Sequence, residues 1–296
     1  MKTPAASEAF APGDRPLPKE TASLGPVRVA YTDTGEGEPI LFVHGIPTSS
    51  YLWRNVIRAL GERFRSVAPD LMGLGDTWTP LDHRYDMGAQ ADKLLELADH
   101  LGLDTFTLVC HDQGGAAAQW LAVHHPDRIR RFILTDCVCY DNWPVPLVKR
   151  FMATMRVRPL DDAIRRLGVG RVWAKSPIGM RLGVYDPASL SDFAIGEYMK
   201  AGEEGGDRYE QFRRFALAGD PKWTVEAASK FAELEVPTMV VWAGDDRWLG
   251  VSWGRRLFDD IAGAKRFEVI PFAGHFLQEE KPELLARYVS EFVRET

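Results

Sequence analysis

Apolar and polar residues alternate over residues 27–34 (VRVAYTDT), the period-two mark of a strand with one face buried. After a turn at 35–38 (GEGE), residues 39–44 (PILFVH) form a continuous apolar run, as expected of a strand buried on both faces. Runs at 65–69 (RSVAP), 106–110 (FTLVC), 129–136 (IRRFILTD), 236–243 (VPTMVVWA) and 265–270 (KRFEVI) predict further strands. Helical spacing of apolar residues appears at 89–101, 116–124 and 279–294. From Cys139 to about Trp223 the chain holds several helix-like segments and many aromatics, with no buried strand.

Strands alternating with helices predict an α/β fold: a mostly parallel sheet with helices on both faces. The helical stretch that interrupts it reads as an inserted cap. The expected division is an N-terminal arm (1–24), a core (25–138 and 226–296) and a helical cap (139–225). No internal repeat or low-complexity segment appears. In open parallel sheets the chemistry lies beyond the carboxyl ends of the strands, so the residues just after each apolar run are the candidates.

Composition narrows the classes. The 296 residues are 45% hydrophobic and 26% charged, ordinary for a soluble globular protein. The formal net charge of -6 disfavours nucleic acid and anionic membranes as partners. The first twenty residues carry no apolar stretch and are expected to be neither signal peptide nor anchor, but an unstructured arm over the surface. Three cysteines, Cys110, Cys137 and Cys139, make no complete disulfide framework and no metal spacing. They fit a cytoplasmic setting and read as packing residues. No metal and no organic cofactor is implied.

The strand FTLVC runs into His111-Asp112-Gln113-Gly114-Gly115 and then a helix. Strand, sharp turn and helix is the layout that exposes a nucleophile, with small residues needed two places to either side. Cys110 and Gly114 fill those places, and Asp112 stands where serine is usual. A carboxylate is ionised at pH 7 without help. It suits displacement at a tetrahedral carbon, giving an alkyl ester, whereas attack on a carbonyl would give a reactive anhydride. Taken alone, Asp112 reads sooner as a helix cap than as a nucleophile; its surroundings reverse that order.

After the strand PILFVH come His44-Gly45-Ile46-Pro47. The backbone N–H groups of Ile46 and Gln113 are the expected oxyanion hole. After VPTMVVWA comes Gly244-Asp245-Asp246; Asp246 is favoured as the acid that orients a base histidine, with Asp136, at the end of IRRFILTD, as the alternative. Of seven histidines only His275 follows a glycine after the final strand. It is the expected base, taking a proton from the water that attacks the Asp112 ester. His44 and His111 are read as packing or orienting residues.

These motifs, HGIPTSSYLWR (44–54), DLMGLGDT (70–77), HDQGG (111–115) and the late Asp and His, resemble the haloalkane dehalogenase and epoxide hydrolase branch of the α/β-hydrolase superfamily. The likeness covers about residues 27–140 and 230–293, and PTSSYLWR is particularly like dehalogenases. The resemblance implies an α/β-hydrolase fold and an aspartate-nucleophile hydrolase. Dehalogenases of this kind bind the halide with a tryptophan after the nucleophile and often an asparagine in the first loop. Gln113 and Ile46 stand there instead, so a cap tryptophan, Trp143 or Trp173, is the candidate second donor. Fluoroacetate dehalogenases clamp the substrate with arginines where this chain has Gln113 and Ala116, which sets that activity aside. Epoxide hydrolases protonate the epoxide with cap tyrosines, for which Tyr140, Tyr185, Tyr198 and Tyr209 are candidates. Phe151, Trp173, Phe193, Phe212 and Phe215 are the cap residues expected to line an apolar pocket or to pack the cap itself.

The reading is therefore a dehalogenase-like hydrolase of a neutral small molecule. An epoxide hydrolase giving a diol is the close alternative, and a binding protein that kept the scaffold without turnover is the alternative from another class. A monomer or small homo-oligomer is expected.

Overall fold

The computed structural model describes residues 13–296. Eight strands form one sheet: β1 (Glu20–Leu24), β2 (Val27–Thr34), β3 (Glu38–Val43), β4 (Phe64–Pro69), β5 (Phe106–Asp112), β6 (Ile129–Cys137), β7 (Thr238–Ala243) and β8 (Ala264–Ile270). Their order is β1-β2-β4-β3-β5-β6-β7-β8. β2 runs antiparallel to both its neighbours, and every pairing from β4 to β8 is parallel.

The continuous apolar runs have a direct cause. Leu41, Val43, Leu108, Cys110, Leu134, Val240 and Trp242 belong to one apolar cluster. Their alternating neighbours Ile40, Phe42, Val109, Ile133, Met239 and Val241 belong to another. Each central strand is thus covered on both faces and needs apolar residues at every position. The first cluster takes in α2 (Met87–His100), α3 (Gly114–His124) and α10 (Val251–Asp260). The second takes in α1 (Arg54–Leu60), α11 (Leu277–Glu280) and α12 (Pro282–Glu295). Between β6 and β7 lie α4 (Pro146–Arg156), α5 (Arg158–Arg166), α6 (Val169–Lys175), α7 (Asp192–Glu203), α8 (Asp207–Ala218) and α9 (Lys222–Ala228).

Two expectations need correction. The N-terminal arm is not unstructured throughout: Glu20–Leu24 is a strand paired in register with β2, with Ala22 and Leu24 buried. Two inward apolar residues in five were too short a pattern to stand out. Residues 1–12 of the expected arm lie outside the described residues. The C-terminal helix is also two helices, because Pro282 has no N–H to continue α11 and instead occupies the first turn of α12.

A buried charge cluster ties the layers together. Arg54, 2% exposed, forms a bidentate pair with Glu279 (Nη1–Oε1 2.6 Å, Nη2–Oε2 2.8 Å). Its Nε donates to the Gly13 carbonyl at 2.6 Å, and the Tyr198 hydroxyl of α7 donates to Glu279. The N-terminal segment, the core and the helices between β6 and β7 thus share one charged node. Removing one member leaves the other charge buried without its partner. Glu279→Ala is expected to lower unfolding free energy by about 3–5 kcal/mol, measured by denaturant titration; a loss under about 1 kcal/mol would contradict this account.

Candidate active site

Asp112 ends β5, and only Gln113 separates it from α3. Its φ of 49° lies in the left-handed region, which few side-chain-bearing residues adopt and Asp tolerates better than most. The turn is tight: a Cβ on Gly114 would lie 2.1 Å from the His44 carbonyl oxygen. The need for a small residue there is therefore a matter of contact distance.

β3 pairs with β5, Val43 opposite Cys110, and this brings the loop after β3 over Asp112. The Ile46 backbone N–H donates to Asp112 Oδ1 at 2.9 Å. The Gln113 N–H also favours the ionised carboxylate. His44 sets the loop. Burial draws its pKa down to about 4, so the ring is neutral. Nε2 accepts from the Leu71 N–H at 3.0 Å, which leaves the proton on Nδ1, 3.0 Å from the Gly45 carbonyl oxygen. The peptide that presents the Ile46 N–H is held by that bond.

His275 follows β8 in a loop that packs over the same strand ends. Its Nδ1–H donates to Asp246 Oδ2 at 2.8 Å. Its Nε2 stands 3.6 Å from Asp112 Oδ2, an ion-pair distance too long for a hydrogen bond. Asp246 Oδ1 in turn accepts the N–H groups of Trp248 (2.7 Å) and Leu249 (2.9 Å). His111, neutral because burial pulls its pKa down to about 3, donates from Nε2 to the His275 carbonyl oxygen at 2.9 Å. The imidazole therefore lies between two carboxylates with its backbone fixed from below.

The charges follow from that placement. Burial works against protonation of His275, but Asp246 first and then Asp112 outweigh it and raise the pKa to about 10. Burial likewise opposes ionisation of Asp112; the His275 imidazole and the nearby N–H groups outweigh it and hold the carboxyl below its ordinary 3.8. At neutral pH the resting state is Asp112 carboxylate beside His275 imidazolium. Of the two candidate acids, Asp246 contacts the imidazole. Asp136 is fully buried, and its Oδ1 accepts from the Ala243 N–H at 2.9 Å.

A cavity of about 370 Å³ opens on Asp112 and His275. Ile46, Trp143, Trp173, Phe151 and Phe212 line it, whereas Phe215 is buried outside it and Phe193 packs near Tyr51. The tyrosine candidates go elsewhere. The hydroxyls of Tyr140, Tyr198 and Tyr209 donate to Asp260, Glu279 and Asp161, and none of these three residues, nor Tyr185, lines the cavity. Each is amphipathic, so its ring packs and its hydroxyl finds a carboxylate, buried for Tyr198 and Tyr209 and exposed for Tyr140. Trp248 was not anticipated. It lines the cavity with its ring centroid 5.0 Å from that of His275. Its position two residues after Asp246 was the available signal.

Among the described residues no group of His, Cys, Asp or Glu is placed to hold a metal ion, and no helix is long and apolar enough to cross a membrane.

Sheet order, turn and strand-end loops together define an α/β-hydrolase fold, and the family model for that fold matches residues 38–282. The chain belongs to the α/β-hydrolase family. Within it, the chain is 31% identical to haloalkane dehalogenase 2 of Mycobacterium tuberculosis (strain ATCC 25618 / H37Rv), over 89% of this chain and 91% of that one. It is 29% identical to the soluble epoxide hydrolase of Corynebacterium sp. (strain C12), over 89% of this chain and 93% of that protein. Among solved structures it resembles the epoxide hydrolase CorEH without ligand, with a TM-score of 0.78 and 27% identity over 94% of this chain and 99% of that one. It is an enzyme of the branch that holds these two activities.

A group whose pKa is raised by folding stabilises the fold below its unfolded value and loses that effect as pH climbs through the folded value. For His275 the window runs from about 6.5 to about 10. The wild-type melting temperature is expected to fall across that window, and His275→Gln to lack that part of the fall. Parallel curves for the two proteins would show that the imidazolium is not held as described.

Proposed function

We propose that Asp112 is the nucleophile of a hydrolase that displaces a leaving group from a tetrahedral carbon, with halide the favoured leaving group. The observation that carries the reading is the unequal treatment of the two Asp112 oxygens. Oδ1 is held by the Ile46 N–H, while Oδ2 takes no hydrogen bond from it and faces His275 across 3.6 Å at the cavity. Oδ2 forms the bond to carbon as the carbon–halogen bond breaks and the halide leaves with the electron pair. The product is an ester of Asp112.

Ester formation removes the Asp112 charge, one of the two that hold the proton on His275. The imidazolium then gives its proton to solvent, and the neutral ring, still oriented by Asp246, takes one from water. The hydroxide formed attacks Cγ of Asp112, and the oxyanion develops on Oδ1, to which the Ile46 N–H already donates, with the Gln113 N–H at the same carboxyl. A donor so placed is worth about 3 kcal/mol. As the Cγ–Oδ2 bond breaks, the departing oxygen takes a proton from the His275 imidazolium, which regains one from the hydroxyl added to Cγ, so the alcohol leaves and carboxylate beside imidazolium is restored.

Halide is favoured over epoxide on the same grounds. Opening an epoxide leaves an alkoxide that needs a proton, and no tyrosine lines the cavity among the described residues. A halide needs only N–H donors. Trp143 lines the cavity, and its indole N–H has no partner. The Gln113 side-chain amide is likewise unpartnered. A Cβ on Gly219 would lie 2.4 Å from Gln113 Nε2 and 2.7 Å from Trp143 Nε1, so the two groups meet against one stretch of bare backbone. The largely apolar wall suits a neutral substrate. Three unpaired, buried cysteines suit the cytoplasm.

With 1-haloalkanes and terminal epoxides as probes, His275→Gln is expected to accumulate an adduct on Asp112, seen by intact-protein mass, while wild type turns over. An adduct with no probe at all would refute covalent catalysis. On the same panel wild type is expected to release halide faster than it forms diol, and the reverse ranking would favour the epoxide reading. Trp143→Phe is expected to slow halide release roughly tenfold, the worth of one hydrogen bond to an anion; an unchanged rate would remove Trp143 from the leaving-group site.

A further inference from the structure

Asp136 and Asp246 end neighbouring parallel strands, β6 directly and β7 through a short loop. Asp136 is fully buried and sits at a φ of 34°, in the left-handed region that a side chain occupies only when its surroundings demand it. One of its oxygens, Oδ1, accepts the Ala243 N–H. The other, Oδ2, is buried and finds no N–H or O–H donor, and Asp246, after the neighbouring strand, is the charge that acts most strongly on this carboxyl. Asp246, by contrast, is fully supplied as an anion: two backbone N–H groups on Oδ1 and the His275 N–H on Oδ2.

Two buried carboxylates that act on each other resist being charged together unless a cation lies between them. The cation present, His275, is bonded to Asp246. The charge belongs to Asp246, and Asp136 is left with an oxygen whose one acceptor is its neighbour.

We propose that Asp136 is a positioning residue: it stays a neutral carboxylic acid, and its O–H donates to the Asp246 carboxylate, fixing the group that holds His275. The three residues then form a chain, Asp136 O–H to Asp246 to His275 N–H, with a single negative charge. This assignment satisfies the orphan oxygen Oδ2 and removes the like-charge repulsion in one step. Burial first, and the Asp246 charge second, push the Asp136 carboxyl well above the ordinary carboxylate range. The other groups facing it are His275 and the neutral Cys137 thiol, itself pushed upward by burial. The proposal rests on the reading of Asp246 as the partner that orients the base.

Two variants separate a neutral donor from a charged second acid. Asp136→Asn keeps the shape, accepts the Ala243 N–H through its carbonyl and offers an amide N–H to Asp246. Asp136→Ala removes the donor. The titration of the His275 ring, followed by NMR, needs no substrate and is read beside breakdown of the Asp112 ester. Asp136→Ala is expected to slow ester breakdown roughly tenfold or more, the worth of a hydrogen bond to a charged group, with KM little changed. Asp136→Asn is expected to recover most of that loss and to leave the His275 titration midpoint at its wild-type value. If Asp136→Asn instead lowers the midpoint, a real negative charge has been removed and the proposal is wrong. If Asp136→Ala matches wild type in ester breakdown, the residue positions nothing. Should no ester form on Asp112 in any protein, the nucleophile reading fails, while the titration still decides the protonation of Asp136.

Discussion

The interaction on which the site depends is the hold of the protein on the buried Asp112 carboxylate, 4% exposed. An isolated charge at such a place would be neutralised by protonation. Here it stays ionised because an imidazolium and backbone N–H groups converge on it. These come from loops far apart in sequence, after β3 and after β8, with Asp246 after β7 fixing the imidazole. A parallel sheet makes the convergence possible, since all these strands end on the same edge.

The supporting contacts are as specific as the primary ones. Neutral His44 sets the peptide that carries the Ile46 N–H, and neutral His111 holds the backbone of His275. Both rings are kept uncharged by burial, so neither competes with His275 for the nearby carboxylates. Three histidines thus share one edge of the sheet with only one cation among them.

The helices between β6 and β7 contribute the apolar wall of the cavity and are tied down by polar groups. Tyr198 shares the buried Arg54–Glu279 pair, Ser191 donates to Asp14 of the N-terminal segment at 2.9 Å, and Lys200 meets Asp76 at 3.1 Å. The tyrosines that might have faced the substrate are spent on such contacts. The cavity is left to Asp112, His275, three indoles, phenyl and aliphatic side chains, Arg150 and Thr154.

The sequence by itself determined the central strands, the sharp turn at Asp112, and the residues after each strand end. These are local properties: two-sided burial writes a continuous apolar run, and a tight strand-to-helix turn demands small neighbours. It did not reveal β1 or the break at Pro282, where the pattern was short or continuous across the boundary. It also left Asp246 and Asp136 as alternatives, because both follow buried strands and look alike from the chain. Only the tertiary structure decided that the imidazole bonds Asp246, that Trp248 joins the cavity wall and that the tyrosines turn away. Those outcomes depend on which side chains meet across the sheet edge and the helical insertion, and meetings between distant segments leave no periodic trace in the residues that make them.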